Sequence, residues 1–497
     1  MRLRPIFWTG TTCTRASIRP QWSFRRQLMT LAIETSCDDT SVAIVEKKVE
    51  NGRAVAQLHF HKKVTANNAE YQGVHPLVSL RSHQENLADL VSEAISHLPP
   101  KTASRDHDFE HGGLEAQRPE AVLDVTKKRL PDFVSVTRGP GMRSNLFTGL
   151  DTAKGLAVAW QAHALTPRLV SALEPSATPT LEPDFPFLSV LASGGHTLLI
   201  QSASLNDHHL LGTTNDIAVG EYLDKVARIL LPTELLQSTR STMYGALLEK
   251  FAFEGNASQT VDSQKSKSTC NTGSAPRTST FSSATASSSQ QYLDSSSHDY
   301  TWYKVPPNHE EALKTAMTKW GWAFNQPLVT AHCGLKVNDI ELSFSGLLTA
   351  VERVIGYQTD PVTRKRTKIE RTLDEISLEE KKHIAREAMR AAFEHVAYRV
   401  VLALRSLASD PAPRSVVLAG GVAANSFLRH ILASTLCARG FSHINLYFPP
   451  PSFCTDNAAM IAWTGIEMFE AGHTDTLSIR AIRKWPLNQL LDPVVDG

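Results

Sequence analysis

The sequence predicts an α/β protein built from two lobes, and three observations support this fold class. The chain has 497 residues, which at roughly 100 to 200 residues per domain is long enough for one large two-lobed enzyme. Three short apolar runs end in turns of small or polar residues, as strands that lead into ligand-binding loops do. A further segment, residues 384–400, repeats apolar residues at the helical period.

The three apolar runs differ in sequence but end alike. Each breaks into a Gly-Gly or a Ser/Thr turn, within residues 31–40, 187–197 and 415–425. Glycine has no Cβ, so such turns let backbone N–H groups come close to a phosphate or a ribose. A single Gly-Gly after a strand is more often a plain tight turn. Three of them favour a nucleotide-like ligand held between two lobes, with one turn from the first lobe and two from the second.

A long helix is predicted to begin after Ser377. Ser377 and Glu380 stand three residues apart and form the capping-box pattern of a helix start. The apolar positions that follow are four residues apart and therefore share one face of a helix. They are Ile384, Ala388, Ala392, Val396 and Val400. We interpret this segment as a helix that packs in the core and has no further role.

Composition excludes two broad classes of protein. The hydrophobic fraction is 42% and the charged fraction 20%, which does not fit a chain that is disordered throughout. No apolar run approaches the ~18 residues that a membrane-spanning helix needs, so no membrane is expected as a partner. The six cysteines are scattered and include no C-x-x-C pair, which indicates neither a zinc ribbon nor a disulfide framework. A reducing compartment is expected.

Residues 1–30 carry a strong positive charge. They contain six arginines and no acidic residue, since the first acidic residue is Glu34. An arginine-rich, hydroxyl-bearing segment without acids predicts a mitochondrial presequence. A disordered basic tail is the alternative, whereas a secretory signal fits less well because no uninterrupted apolar stretch follows. The rest of the chain is mildly acidic, so any binding of nucleic acid must come from a local basic patch.

Three polar stretches are predicted to be insertions. Residues 101–129 are predicted to form a surface loop. Residues 255–300 are so rich in serine that no ordered structure is predicted for them, and residues 357–371 form a third polar run. The predicted first lobe covers residues 31–185 and the second lobe residues 186–455. Residues 456–497 are expected to return to the first lobe.

Eight motifs together resemble one family, the tRNA N6-adenosine threonylcarbamoyltransferases. They occur in the family's order from about residue 31 to about residue 465, so the resemblance covers most of the chain outside the insertions. The first loop, Glu-Thr-Ser-Cys-Asp-Asp-Thr, is similar to the bacterial and mitochondrial branch. The motifs begin at Ile33, Arg138, Gly149, Ser193, Gly220, Ser343, Ala419 and Cys454.

The resemblance implies a fold and a reaction. The fold is the actin-like, sugar-kinase-like and Hsp70-like (ASKHA) architecture, with a ribonuclease-H-like core in each lobe. The reaction transfers the threonylcarbamoyl group from threonylcarbamoyl-AMP to N6 of adenosine 37, in tRNAs that read codons starting with A. The adenylate comes from a separate synthase, and mitochondrial members resemble homodimers. The family also implies one divalent metal ion, held by an H-x-x-x-H pair and an aspartate.

The same resemblance implies roles for individual residues. Asp38 is the catalytic first-loop carboxylate near the phosphates, and His163 and Asp456 are the metal ligands that the chain retains. Asp224 and Asn425 should hydrogen-bond the adenosine end. The residues expected to line the phosphate and acyl part, or to allow close approach of the substrate, are Ala192, Ser193, Gly194, Gly195, His196 and Gly245.

Each of these polar residues also has a purely structural interpretation. Asp38 and Asp224 are of a type that commonly caps turns or helices. His196, taken alone, is more often a hydrogen-bonded core histidine than a ligand. Asn425 precedes a helical pattern, where asparagine is a common N-cap.

The sequence departs from the family pattern at two places. Ala159 stands where the first histidine of the metal pair is expected, four positions before His163, and about ten residues that normally precede Gln161 are missing. The junction falls between two well-matched segments, as an error at an exon boundary would. The family's Tyr-Pro-Gly-Gly run is also replaced by a segment that retains one glycine, Gly245.

Three other functions remain as alternatives. A metalloprotease fits least, because no H-E-x-x-H motif occurs. An ATP-dependent sugar kinase shares the implied fold, and fold alone does not decide function. A non-catalytic nucleotide- or tRNA-binding member that has lost its metal site is the main alternative. A basic cluster at residues 364–368 is either a phosphate contact or a solvated part of the third insertion.

Overall fold

The computed structural model describes 19 stretches of the chain in detail. They are residues 27–50, 53–71, 73–100, 128–129, 131–152, 182–205, 207–237, 244–253, 287–295, 300, 302–307, 311, 317–328, 338–360, 363, 366–407, 412–450, 453–473 and 480–483. His163, Ala159 and the predicted insertions at 101–127 and 255–286 lie outside these residues.

The described residues form a mixed α/β structure. The strands are β1 (Gln27–Glu34), β2 (Asp39–Glu50), β3 (Arg53–Thr65), β4 (Phe133–Val136), β5 (Phe187–Ala192), β6 (Thr197–Ser202), β7 (His208–Thr213), β8 (Ser287–Ser288), β9 (Tyr357–Thr359), β10 (Arg366–Glu370), β11 (Ser415–Ala419) and β12 (Asn445–Tyr447). The helices are α1 (Pro76–Ser96), α2 (Arg143–Thr152), α3 (Val219–Leu230), α4 (Thr233–Gln237), α5 (Gly245–Phe253), α6 (Ser289–Ser295), α7 (Ser345–Gly356), α8 (Leu378–Ser406), α9 (Ser426–Ala438) and α10 (Ala458–Glu470). Three short 3₁₀ turns join them.

The first sheet has the strand order β3-β2-β1-β4. β1 runs antiparallel to β2 and parallel to β4. Leu28 to Glu34 are all buried, because both faces of β1 are covered. Apolar residues of α1 and α2 pack with one face, and residues of α10 pack with the other.

The second sheet has the order β7-β6-β5-β11-β12-β8. β5 pairs antiparallel with β6 and parallel with β11, and β11 is parallel to β12. The three predicted strands are therefore β1, β5 and β11, and each ends at the turn that the sequence singles out. The largest apolar cluster lies under this sheet and includes α3, α5, α7, α8 and α9.

Helix α8 confirms the predicted core helix. It begins at Leu378, and Ser377 Oγ accepts a hydrogen bond from the Glu380 amide at 3.2 Å. All five of the predicted apolar positions are buried. The Glu380 carboxylate does not return to Ser377 as a full capping box requires; it accepts from Trp322 Nε1 at 3.0 Å instead.

Two sequence-based boundaries need correction. Gln27 to Thr30 belong to β1, and Met29 is fully buried, so a presequence that ends at residue 30 would remove half of a core strand. Part of the serine-rich stretch 255–300 is also ordered, as β8 and α6. Its anchor is Ser289, whose amide and Oγ both donate to the carbonyl of Ile444.

In the part of the chain that the structure describes, no helix is both long and apolar enough to span a bilayer.

Candidate active site

The turn between β5 and β6 is closed by hydrogen bonds between its ends. The Ser193 amide donates to the His196 carbonyl at 2.9 Å, and the His196 amide donates to Ser193 Oγ at 3.1 Å. Gly194, Gly195 and His196 are exposed. Among the described residues, neither the Gly194 amide nor the Gly195 amide has a hydrogen-bond acceptor. The turn therefore offers two backbone donors to a ligand, and the core-histidine interpretation of His196 is wrong.

Two glycines let neighbouring segments come against this turn. The Gly220 amide donates to the Ser193 carbonyl at 3.2 Å, and a Cβ on Gly220 would lie 2.6 Å from that oxygen. Gly420, just after β11, has φ +93°, and its Cβ would lie 2.5 Å from the carbonyl oxygen of Ala192. Glycine is required at both positions because any side chain would meet backbone that closes the turn.

Asp224 and Gly245, both predicted to bind the substrate, are in contact. Asp224 Oδ1 accepts hydrogen bonds from the amides of Tyr244 at 2.7 Å and Gly245 at 3.0 Å. Asp224 thus caps the start of α5, as the structural interpretation predicted. Burial raises the pKa of Asp224 to about 6, against the lowering effect of these two amides. Within the described residues, Oδ2 has no hydrogen-bond donor.

Asp224 also lies close to the Ser193 turn along one helix face. Gly220 and Asp224 are four residues apart in α3, so they lie on the same side, about 6 Å apart along the axis. A ligand that spans the turn and Asp224 would run along this face. Gly245 itself leaves room for a side chain, because the nearest atom to an added Cβ is 3.6 Å away.

Asn425 caps helix α9. Its Oδ1 accepts from the Leu428 amide at 3.0 Å, and the residue is 6% exposed, which confirms the N-cap interpretation. The next two amides of this helix are taken by Glu249, whose Oε1 accepts from Ser426 at 2.9 Å and from Phe427 at 3.2 Å. Its Nδ2 group donates to Met389 Sδ at 4.0 Å.

The first loop and the loop before α10 place several carboxylates together. Burial and then the charge of Asp456 raise the pKa of Glu34 to about 7. The pKa of Asp38 is also raised, first by burial, then by Asp39, and less by Asp456. The Glu34 carboxylate accepts from the Ser36 amide at 2.6 Å and from Thr137 Oγ1. The two predicted site residues Asp38 and Asp456 are thus close enough to interact electrostatically.

Lys63 joins the first loop to the loop of Asp456. Its Nζ donates to Asp39 Oδ2 at 2.6 Å and to Thr455 Oγ1 at 2.9 Å. Asp39 is the residue after Asp38, and Thr455 is the residue before Asp456. Because Asp39 is nearly buried, with 8% of its side chain exposed, the Lys63 charge stabilises it inside the cluster.

Replacing Lys63 with methionine should lower the free energy of unfolding by about 1–2 kcal/mol, because it leaves the Asp39 charge buried without a cation. Urea unfolding measures this. Lys62→Met is the matched control, since Lys62 pairs with Glu93 where both side chains are about half exposed, and its loss should cost less than about 0.5 kcal/mol. Equal effects of the two changes would contradict the bridging role of Lys63.

Sequence reasoning missed Glu34, Lys63 and Glu249 as residues of this site. Glu34 has a visible signal, since it is an acidic residue at the end of an otherwise apolar strand. Lys63 and Glu249 have none, because their partners lie 24 and 177 residues away along the chain. Only the fold brings those pairs together.

The described residues do not complete the expected metal site. Within them, no three His, Cys, Asp or Glu side chains come together as a possible ligand group. Glu34 and Asp456 form an electrostatically coupled pair of carboxylates, which are ligands that hard divalent cations prefer. His163, the other expected ligand, lies outside the described residues. The metal ion therefore stays a prediction.

Fold and site together define a mixed α/β protein whose glycine turns, at strand ends, present backbone donors to a ligand. The family model TsaD, tRNA N6-adenosine threonylcarbamoyltransferase, matches residues 99–332 and 301–463. The mitochondrial tRNA N6-adenosine threonylcarbamoyltransferase of Schizosaccharomyces pombe is 33% identical, over 94% of this chain and 88% of that protein. The chain belongs to the tRNA N6-adenosine threonylcarbamoyltransferase family.

Bacterial relatives carry the same name. The protein of Brucella anthropi is 30% identical over 94% of this chain and 97% of its own length. That of Methylocapsa acidiphila is 28% identical over 94% of this chain and 99% of its own. The suspected family is thereby confirmed, and it agrees with the ASKHA-type fold class at the level of a mixed α/β protein.

Proposed function

We propose that this protein transfers the threonylcarbamoyl group from threonylcarbamoyl-AMP to N6 of adenosine 37 in mitochondrial tRNAs that read codons starting with A. The observation that carries the proposal is the 33% identity, over 94% of the chain, to a mitochondrial enzyme with this name. The arginine-rich, acid-free start of the sequence supports the location independently.

The chemistry is an acyl transfer with AMP as the leaving group. The bond from the carbamoyl carbon to N6 forms, the bond from that carbon to the phosphate oxygen breaks, and N6 loses a proton. The free amides of Gly194 and Gly195 are suited to donate to the phosphate or to the carbonyl oxygen as charge develops there. Asp224 Oδ2, which has no donor among the described residues, is suited to accept from a ribose hydroxyl. Asn425 Nδ2 donates to Met389 Sδ at 4.0 Å and has a second N–H suited to the adenosine end.

We propose Asp38 as the catalytic carboxylate of the first loop. Asp456 and His163 are proposed as ligands of one divalent metal ion. When bound, such an ion polarises the carbonyl of the threonylcarbamoyl group as a Lewis acid. Lys63 keeps the loops of Asp38 and Asp456 together, so this part of the chain holds its carboxylates in place before any ion binds.

Several broader features belong to the same proposal. They are two lobes with the boundaries given above, a separate synthase that supplies threonylcarbamoyl-AMP, assembly as a homodimer, and a presequence that ends before Gln27. The packing of α10 against β1 and β2 supports the return of the C-terminal segment to the first lobe. The alternative of a non-catalytic member rests on Ala159, which stands where a metal-binding histidine is expected.

The proposal predicts a specific product from the purified full-length chain. Given threonylcarbamoyl-AMP, a divalent metal salt and tRNA without the modification, it should form N6-threonylcarbamoyladenosine, detected by mass spectrometry of digested nucleosides. Asp456→Asn should lower the rate at least about 100-fold, because it removes an acyl-activating ligand. A folded wild-type chain that binds tRNA but forms no product would favour the non-catalytic alternative.

Sequencing the transcript across the codons for residues 159–162 separates two causes of such a failure. An insertion of about ten residues that ends in a histidine four positions before His163 would restore the metal pair. The longer chain should then bind the ion and form the product. A transcript that matches the present sequence, together with an inactive protein, would support loss of catalysis.

A further inference from the structure

Two residues of the basic cluster that the sequence singles out, Arg366 and Lys368, lie on an exposed strand. β9 (Tyr357–Thr359) pairs antiparallel with β10 (Arg366–Glu370), and we call these two strands and Arg371 the basic hairpin. In the sequence, residues 357–371 contain five basic residues and two acidic ones. The chain after residue 30 is acidic as a whole, so the basic hairpin is a local exception to the charge of the surrounding protein.

Two cations of the basic hairpin have no acidic partner among the described residues. Arg366 and Lys368 are exposed, and neither forms an ion pair there. They stand two residues apart in β10. The Arg366 guanidinium lies 4.9 Å from the centroid of the Tyr357 ring, which holds it beside the hairpin.

Three other surface lysines of the described chain are paired with carboxylates. Lys62 contacts Glu93, Lys225 contacts Glu221, and Lys319 contacts Glu379, each with an N–O distance between 2.5 and 2.8 Å. Those charges are neutralised by the protein itself. Arg366 and Lys368 differ from these three lysines, because no carboxylate of the described residues neutralises them, and their charges can attract an anion.

The base of the basic hairpin is firmly attached. Arg371 donates from Nη2 to the Val354 carbonyl at 2.6 Å and to Glu380 Oε1 at 2.9 Å, and its amide donates to the Gly356 carbonyl at 3.0 Å. The Arg371–Glu380 pair is nearly buried, with 12% and 5% of the side chains exposed. The hairpin thus leaves the protein at a fixed point between α7 and α8.

Helix α7 connects this point to the candidate active site. The Thr214 amide donates to the carbonyl of Thr197, the residue after His196, and the Asn215 amide donates to the Leu342 carbonyl. Asp216 then holds the start of α7 by accepting from Ser345 Oγ at 2.5 Å. The 12 residues of α7 span about 18 Å, so the basic hairpin begins roughly that far from the start of the helix.

We propose that the basic hairpin binds the phosphodiester backbone of the tRNA whose base is modified. This inference rests on the proposed function, because that function makes tRNA the substrate. Two neighbouring unpaired cations, one Arg and one Lys, on a firmly attached hairpin suit adjacent phosphates of a nucleic-acid backbone. A lipid surface fits less well, since Ile369 is the only large apolar residue exposed on the described part of the hairpin.

The test is the salt dependence of tRNA binding by full-length Arg366→Gln/Lys368→Gln protein. Each lost phosphate contact should lower the slope of log K against log salt concentration by about 0.7 to 0.9, so the double variant should lose about 1.5. Its Kd for tRNA at 0.15 M salt should rise about tenfold. The KM for threonylcarbamoyl-AMP should not change, because neither residue contacts the described residues of the candidate active site.

Lys62→Gln/Lys225→Gln is the matched control, with the same loss of two charges at paired positions, and it should leave the slope unchanged. An Arg366→Gln/Lys368→Gln slope equal to that of the wild type would overturn the proposal even if the wild-type protein forms the product. The proposal would also be overturned if the Arg366→Gln/Lys368→Gln protein lost binding to anionic vesicles while its tRNA binding stayed unchanged. The wild type could form no product while the salt-dependence slope of tRNA binding is lower in the Arg366→Gln/Lys368→Gln protein than in the wild type. In that case the proposed catalysis fails and the basic hairpin proposal stands.

Discussion

Replacing Gly420 with alanine is expected to destabilise the protein by about 3 kcal/mol and to abolish activity. Gly420 has φ +93°, where a Cβ is strained, and the added atom would lie 2.5 Å from the oxygen and 2.8 Å from the carbon of the Ala192 carbonyl. These atoms belong to the backbone, so the strand before the Ser193 turn must shift. Chemical denaturation gives the loss of stability, and nucleoside analysis gives the activity.

Two control variants distinguish the cost of a positive φ from the cost of the steric clash with Ala192. Gly440 has φ +86° but no atom within 4 Å of an added Cβ, so Gly440→Ala should show the cost of positive φ alone, about 1 kcal/mol. Gly346 lies in α7 with open space around it, so Gly346→Ala should stabilise the protein by about 0.5–1 kcal/mol. If Gly420→Ala costs no more than Gly440→Ala, the close approach at Ala192 is not important for stability.

Replacing Asp224 with asparagine is expected to stabilise the protein at neutral pH while it weakens nucleotide binding. The native pKa is about 6 and the ordinary value 3.8, so the folded protein holds a proton over this range that the unfolded chain releases. The contribution of Asp224 to the free energy of unfolding therefore falls as pH rises from about 4 to about 6. Asparagine keeps an Oδ1 acceptor for the amides of Tyr244 and Gly245 but carries no charge to bury.

The difference between the two proteins should depend on pH in a defined way. The difference in free energy of unfolding should be near zero at pH 4. At pH 7.5 the Asp224→Asn protein should be the more stable by about 2 kcal/mol. The Kd for AMP, measured by calorimetry, should rise about 10- to 100-fold, because the Oδ2 acceptor becomes an amide donor. Asp207→Asn, on an exposed carboxylate, should change neither quantity. A stability gain that is constant with pH would exclude the proposed cause.

Local patterns predicted the elements whose stability is local. The strands that end at residues 34, 192 and 419 and the helix that begins at Leu378 follow from runs of apolar residues and a cap, which act over a few neighbouring positions. The structural interpretation of Asn425 as an N-cap was correct for the same reason. The interpretation of His196 as a core residue was wrong, because a two-glycine turn holds that residue at the surface.

The contacts that organise the site could not be predicted from one sequence. Lys63 meets Asp39 across a strand pair, and it meets Thr455 only because α10 returns to the first sheet. Such pairings depend on the tertiary arrangement, since nothing in a lysine's local sequence indicates its partner. The ordered part of the serine-rich stretch was missed for a similar reason: Ser289 is held by the carbonyl of Ile444, 155 residues away.

The hydrogen bond between the Arg371 amide and the Gly356 carbonyl brings the two ends of the basic hairpin together at 3.0 Å. The segment between them can therefore be lengthened, shortened or given other charges without moving α7 or α8. Substitutions there are free of the constraints that fix glycine at positions 220 and 420. The proposed RNA contacts of the basic hairpin can thus change without any change to the glycine turns of the candidate active site.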